Sequence, residues 1–203
     1  MFIRRQFLSV AAGSIVAAVL APRPGRAQQL TEDEVFRDPD APVLGNPKGD
    51  VTIVEFFDYQ CPYCKKSHPD VESVVAEDGN VRLIMKDWPV FGEVSVFASQ
   101  AVLGANEIGA YKQAMEALMA TPASLSEDDV KRLLPAAGLD LSKIAEAVRR
   151  NDKKISDLLT RNYNQALAFN FAGTPSFVIG RTTASGVLSK DQLRDAIRKA
   201  RAA

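Results

Sequence analysis

Val51-Thr52-Ile53-Val54-Glu55-Phe56-Phe57, followed after three residues by Cys61-Pro62-Tyr63-Cys64, carries most of the information in this chain. The first seven residues are dense in β-branched and aromatic side chains, the mark of a strand buried on both faces. Glu55 alone interrupts the apolar run. The cysteine pair follows at once and opens a predicted helix from Cys61 to about Glu77. Pro62 suits the first helical turn, where amides have no internal acceptor. Pro69 is less comfortable and is expected to kink or interrupt the helix.

Outward from this core the pattern changes twice. Asn80 to Lys86 is a second apolar strand signal, ending before Trp88-Pro89. Residues 93–170 then lose their β-branched runs. Segments near 94–107, 109–120, 127–137, 141–150 and 152–168 read as helices, with a capping-box signal at Ser126 and Asp129 and a stop at Gly138. Strand character returns at Thr174-Pro175-Ser176-Phe177-Val178-Ile179. A weaker strand follows near 183–187, and a last helix starts at Ser189 and Gln192. On the other side, residues 28–50 are polar and rich in Pro and Gly, an exposed lead-in or an irregular edge strand.

The first 27 residues read as an address. Arg4 and Arg5 precede an uncharged stretch from Ser9 to Ala21, then Gly25-Arg26-Ala27. This is the order of a secretory signal peptide with cleavage after Ala27, and Arg4-Arg5-Gln6-Phe7-Leu8 also resembles a twin-arginine export signal. Thirteen uncharged residues are shorter than the ~20 that span a bilayer. The whole chain is neutral, with 25 basic and 25 acidic side chains, but the four arginines of the leader leave 21 basic groups against 25 acidic ones. Nothing in that balance favours nucleic acid.

Cys61 and Cys64 are the only cysteines among 203 residues. A secreted scaffold stabilised by disulfides spreads several bridges through a small fold, so one close pair points to chemistry. A structural zinc site wants about four donors, and one histidine, His68, is available beside the two thiols. A passive bridge this short would constrain little of the unfolded chain. Placed at a helix entrance, Cys61 would be the accessible thiol, its thiolate held by backbone amides and the helix dipole, with Cys64 shielded one turn inside. The reading requires no cofactor and no metal.

Glu55 through Cys64, joined by Gly173-Thr174-Pro175-Ser176-Phe177, resembles the DsbA-like branch of the thioredoxin superfamily. The likeness covers most of residues 38–200, including the approach Pro42 to Asp50. It implies an α/β thioredoxin-like fold with a helical insertion: 1–27 signal peptide, 28–50 lead-in, 51–92 and 171–203 the thioredoxin-like domain, 93–170 the inserted helical subdomain. It also implies that Cys61 is the nucleophile and Cys64 the resolving thiol of a redox-active disulfide. Pro175 becomes a cis-proline that positions substrate backbone, where an ordinary trans turn proline is the alternative. Thr174 packs beside the thiols. Glu55 becomes a buried acid that exchanges a proton with Cys64 or tunes its pKa, the alternative being an exposed edge glutamate. Asp58 is expected to cap local backbone, Lys86 to pair with Glu55 or face solvent, and His68 to lie at the surface near the kink. Trp88, Phe91 and Phe97 read as core contacts or, if exposed, as a polypeptide-binding patch.

By the same resemblance the chain donates disulfides to paired cysteines of unfolded or partly folded exported proteins in the periplasm. A quinone-linked membrane thiol oxidase then reoxidises it. Tyr63 stands where the best-known oxidants have histidine, and with Thr174 it resembles combinations in exported isomerases and reductases. Dimeric isomerases add an N-terminal assembly domain, whereas 23 residues lie between Gln28 and Asp50, inclusive. A monomeric oxidase is the expectation, with isomerase, reductase and a nonenzymatic protein-binding or chaperone module as alternatives.

Overall fold

The computed structural model describes residues 30–122 and 124–203, so the signal-peptide reading of 1–27 lies outside the described residues. Its centre is a five-stranded mixed sheet in the order β1-β3-β2-β4-β5. A short helix α1 (Glu32–Phe36) and edge strand β1 (Val43–Gly45) precede β2 (Val51–Phe57), α2 (Pro62–Asp78) and β3 (Val81–Asp87). The last three form a parallel strand–helix–strand unit, with Val51 level with Val81 and Phe57 level with Asp87. Every residue of β2 and β3 is buried except the second of each.

Among the described residues five helices lie between β3 and the next strand: α3 (Glu93–Asn106), α4 (Tyr111–Met119), α5 (Glu127–Ala136), α6 (Leu141–Arg150) and α7 (Asp152–Ala168). Strands β4 (Ser176–Ile179) and β5 (Thr182–Ser185) then close the sheet, β4 running antiparallel against β2, and α8 (Lys190–Ala202) packs behind. Capping boxes open α5 at Ser126 with Asp129, and α8 at Ser189 with Gln192. At Gly104 a methyl group would lie 2.4 Å from Val148 Cγ2, so glycine lets α3 and α6 approach closely.

Of the two readings of the lead-in the edge strand holds: β1 pairs with β3 in antiparallel register at the sheet's edge, and Val35, Asp38 and Ala41 are buried. One expectation changes. Pro69 does not interrupt α2, which runs unbroken to Gly79, whose left-handed backbone (φ 69°) ends it. Proline removes one intrahelical bond. The buried face carrying Cys64, Val71, Val74 and Val75 outweighs that loss, since each buried aliphatic side chain contributes roughly 1.5–3 kcal/mol.

Candidate active site

The site stands where β2 ends and α2 begins. Asp58 organises the turn: its carboxylate accepts from the amides of Gln60 (2.7 Å), Val90 (2.7 Å) and Phe91 (3.2 Å) and from Ser95 Oγ (2.8 Å). One side chain thereby fixes the cysteine loop, the loop after β3 and the start of α3. Two further contacts tie the site to the helical block. Gln60 Nε2 donates to the Leu125 carbonyl at 3.0 Å, and Lys65 Nζ donates to Thr121 Oγ1 at 2.8 Å.

Cys61 is the N-cap residue of α2, and Pro62 occupies the first helical position. The Thr174–Pro175 peptide is cis. It brings the Thr174 carbonyl within 3.2 Å of Cys61 Sγ, whose thiol donates to it. Thr174 Oγ1 is buried without a partner of its own, positioned to donate once Cys61 ionises. Both cysteines are free thiols here. The Cys61 pKa falls to about 6: the Cys64 thiol donates to the Cys61 sulfur, followed in weight by Thr174 and the amides of Cys64 and Tyr63, all against burial. The amides at the helix start therefore contribute less than the neighbouring thiol.

Cys61 is also less open than its expected role implied, with the residue 1% exposed. The Thr174 carbonyl, 3.2 Å from its sulfur, is one of the groups that cover it. Cys64 is fully buried, and its thiol is pushed well above the ordinary range by desolvation, by its bond to Cys61 and by Glu55. The two sulfurs are thus driven in opposite directions.

Glu55 lies beneath them, fully buried, with neither carboxylate oxygen hydrogen-bonded. Its cross-strand neighbours are Met85 and Phe177, both apolar. Burial first, then the charges of Cys61 and Glu72, raise its pKa to about 8. Lys86 is not its partner and does not face solvent. It is level with Phe56, one residue out of phase with Glu55, so its side chain emerges from the opposite face of the sheet. There it lies fully buried, 3.6 Å from Asp38, which also takes a two-pronged contact from Arg161 at 2.9 and 3.0 Å.

Other expectations resolve individually. His68 is buried, because four residues after Cys64 it shares the inward face of α2. Trp88 is buried edge-on to Phe56, whereas Phe91 is 54% exposed and Phe97 is partly buried. Tyr63 is 63% exposed between the cysteines. Reading the sequence missed Asp87, Tyr59, Ser99 and Tyr111. They form a second buried polar group on the Glu55 side, in which the Asp87 carboxylate lies beside Tyr59 and Ser99 without completing a hydrogen bond. Burial raises Asp87 to about 7.

The family model described as thioredoxin matches residues 37–199. A thioredoxin-like oxidoreductase from Silicibacter pomeroyi superposes with a TM-score of 0.82 at 40% identity, covering 86% of this chain and 99% of the other. A periplasmic thioredoxin-like protein from Salmonella enterica gives 0.75 at 27% identity over 87% of this chain and all of that one. The catalytic domain of Proteus mirabilis ScsC gives 0.74 at 28%, covering 84% and 94%. Among curated relatives, an Na(+)/H(+) antiporter NhaA 3 from Salinispora tropica is 26% identical over 87% of this chain, and the chain spans 27% of that relative's length. A thiol:disulfide interchange protein DsbA from Burkholderia cepacia is 38% identical over 36% of this chain and 31% of its own.

Proposed function

This chain belongs to the thioredoxin family, and we propose that it works as an exported dithiol oxidase, passing a disulfide from Cys61–Cys64 to paired cysteines of other polypeptides. The observation that carries this reading is the split between the two sulfurs. One thiol ionises near pH 6 at the helix entrance, and its neighbour is held protonated. A substrate thiolate attacks Cys61 Sγ of the disulfide form, the bond to Cys64 breaks, and its electron pair leaves on Cys64, which takes a proton. A second substrate thiolate then attacks the substrate sulfur of the mixed disulfide, and Cys61 departs as a stable thiolate. Stabilising the reduced form in this way makes the disulfide form the stronger oxidant.

Position supports the roles in this proposal. Cys61 is the nucleophile and leaving group, and Cys64 resolves. Pro175, lacking an amide hydrogen, offers no competing donor to sulfur, and the Thr174 carbonyl beside it, released from the thiol when Cys61 enters the disulfide, can pair with an extended substrate. Thr174 donates to the thiolate. Glu55, neutral over most of the physiological range, supplies the proton that Cys64 takes up. Exposed Tyr63, Val90 and Phe91 offer apolar contact to unfolded chains, the last two anchored by Asp58.

An exported location is supported by the basic and apolar order of residues 1–27 and by the periplasmic Salmonella relative. A monomer, with a quinone-linked membrane thiol oxidase as its electron acceptor, completes the proposal. The test is the reduction potential of the pair, together with its resting state in the compartment. A potential well above thioredoxin's roughly −270 mV, with the pair mostly oxidised, is the expected result. A low potential with the pair kept reduced assigns reduction or isomerisation instead.

A further inference from the structure

Glu55 can serve Cys64 repeatedly only if its proton is replaced, yet it is fully buried. One face of α2 offers a way out. Cys64, His68 and Glu72 recur at intervals of four, which stacks them along one side of a helix. Burial falls outward along that column: Cys64 is sealed, His68 is 4% exposed, and the Glu72 side chain is 29% exposed. Among the described residues neither ring nitrogen of His68 has a hydrogen-bond partner, and its Nε2 lies 3.5 Å from Glu72 Oε2. From the helical block, α4 brings Lys112 to 3.3 Å from Glu72 Oε1 and 3.2 Å from Glu116. Glu55, on β2, is near enough for its charge to act on Cys64 and for that of Glu72 to act on it, at the two ends of the column.

We infer that His68 and Glu72 form the outer half of a proton path joining Glu55 and Cys64 to solvent, with Lys112 of α4 holding its mouth. The inference rests on the dithiol chemistry proposed above. When the Cys61–Cys64 bond breaks, the electron pair remains on Cys64 Sγ, and the proton comes from Glu55. The neutral His68 ring then gives its N–H proton inward while its other nitrogen accepts one from the Glu72 side, and the ring resets by exchanging tautomers. The two substrate thiols release two protons to solvent, and Cys64 recovers one. Cys61 keeps none, because it leaves as thiolate. The groups bearing on His68 are Glu72 from its own helix and Lys112 and Glu116 from α4, with burial favouring the neutral ring. Neutral is the form a relay needs.

The experiment follows reduction of the disulfide form by dithiothreitol, at low buffer concentration, in the parent, His68→Gln and Glu72→Gln. Expected is a slowing of at least about 10-fold in His68→Gln and a smaller one in Glu72→Gln. A solvent deuterium effect larger than the parent's and recovery of rate on adding imidazole should accompany it, with the alkylation rate of Cys61 unmoved. Parent-like rates and isotope effects in both variants overturn the path. So does a slowing that imidazole leaves untouched, which would make His68 a packing residue. Should His68→Gln not fold, the partly exposed Glu72→Gln decides by the same readouts. A parent that exchanges no disulfide with dithiothreitol refutes the dithiol reading and the path with it.

Discussion

Glu55 and Lys86 are buried ionisable groups separated by one step of register on adjoining strands, and they are placed in opposite surroundings. On one face of β2 and β3, Lys86 meets Asp38, and Asp38 is gripped again by Arg161. On the other face, Glu55 has Met85 and Phe177 across the strands, and neither of its oxygens makes a hydrogen bond among the described residues. A buried charge with a partner holds the structure together, although it seldom adds much over an apolar pair. A buried acid without one moves its pKa toward neutrality, where it can trade a proton. The same sheet thus separates an electrostatic clasp from the buried acid proposed above as a proton store. Asp87, buried and raised to about 7, belongs to the second side.

Breaking the clasp should have the largest effect. Asp38→Ala leaves Lys86 sealed in the core without its carboxylate, and urea unfolding should show a loss of about 3–5 kcal/mol. Disulfide exchange per folded molecule should stay near the parent value, since the clasp faces away from the cysteines. A matching collapse of exchange in the folded fraction would erase the distinction between the two faces.

Removing the proton store should do the reverse. Glu55→Gln should slow turnover by about 100-fold at neutral pH, at the lower end of what a positioned acid or base supplies. Its stability should rise. In the folded chain Glu55 holds its proton more tightly than the ordinary carboxyl value of 4.5 allows, up to about 8. The stability linked to this site is therefore fully present below 4.5 and is lost as pH climbs through about 8. The glutamine variant escapes that loss. Its advantage in unfolding free energy should be near zero under about pH 4 and reach the order of 4–5 kcal/mol in mild alkali, the free energy between ionisation at 4.5 and at about 8. An advantage independent of pH would show that Glu55 is not titrating in the fold.

Much of this was legible beforehand. The apolar density of Val51 to Phe57 announced a strand buried on both faces, and the CxxC after it located the helix entrance. Thr174-Pro175 marked the loop that meets the cysteines, and Ser126 and Ser189 marked helix starts. What stayed hidden depended on register. In a strand apolar on both sides, nothing local says which residue of β3 stands level with Glu55, so Lys86 could be matched to the wrong face. Its true partner, Asp38, arrives from a lead-in that looked like loop because of its Pro and Gly content. His68 did carry a signal: four residues after Cys64 places it inward, whatever Pro69 does. Asp87 and Tyr59 gave none, since a polar residue at a strand end reads as a turn residue.

A smaller effect sharpens the comparison at the thiol. Thr174→Val removes a hydroxyl while keeping shape, so the Cys61 pKa should rise by an amount worth about 1 kcal/mol, and the reduction potential should fall with it. A Thr174→Ser variant should recover most of both. No change in either variant would leave the threonine as packing alone.

The most direct measurement is the ultraviolet thiolate titration of the reduced protein, paired with the rate of Cys61 alkylation across the same pH range. The account predicts one sulfur ionising near 6, its alkylation rising along the same curve, while Cys64 stays silent through the range. A single midpoint at or above the ordinary thiol value of 9.0, with slow alkylation throughout, would contradict it.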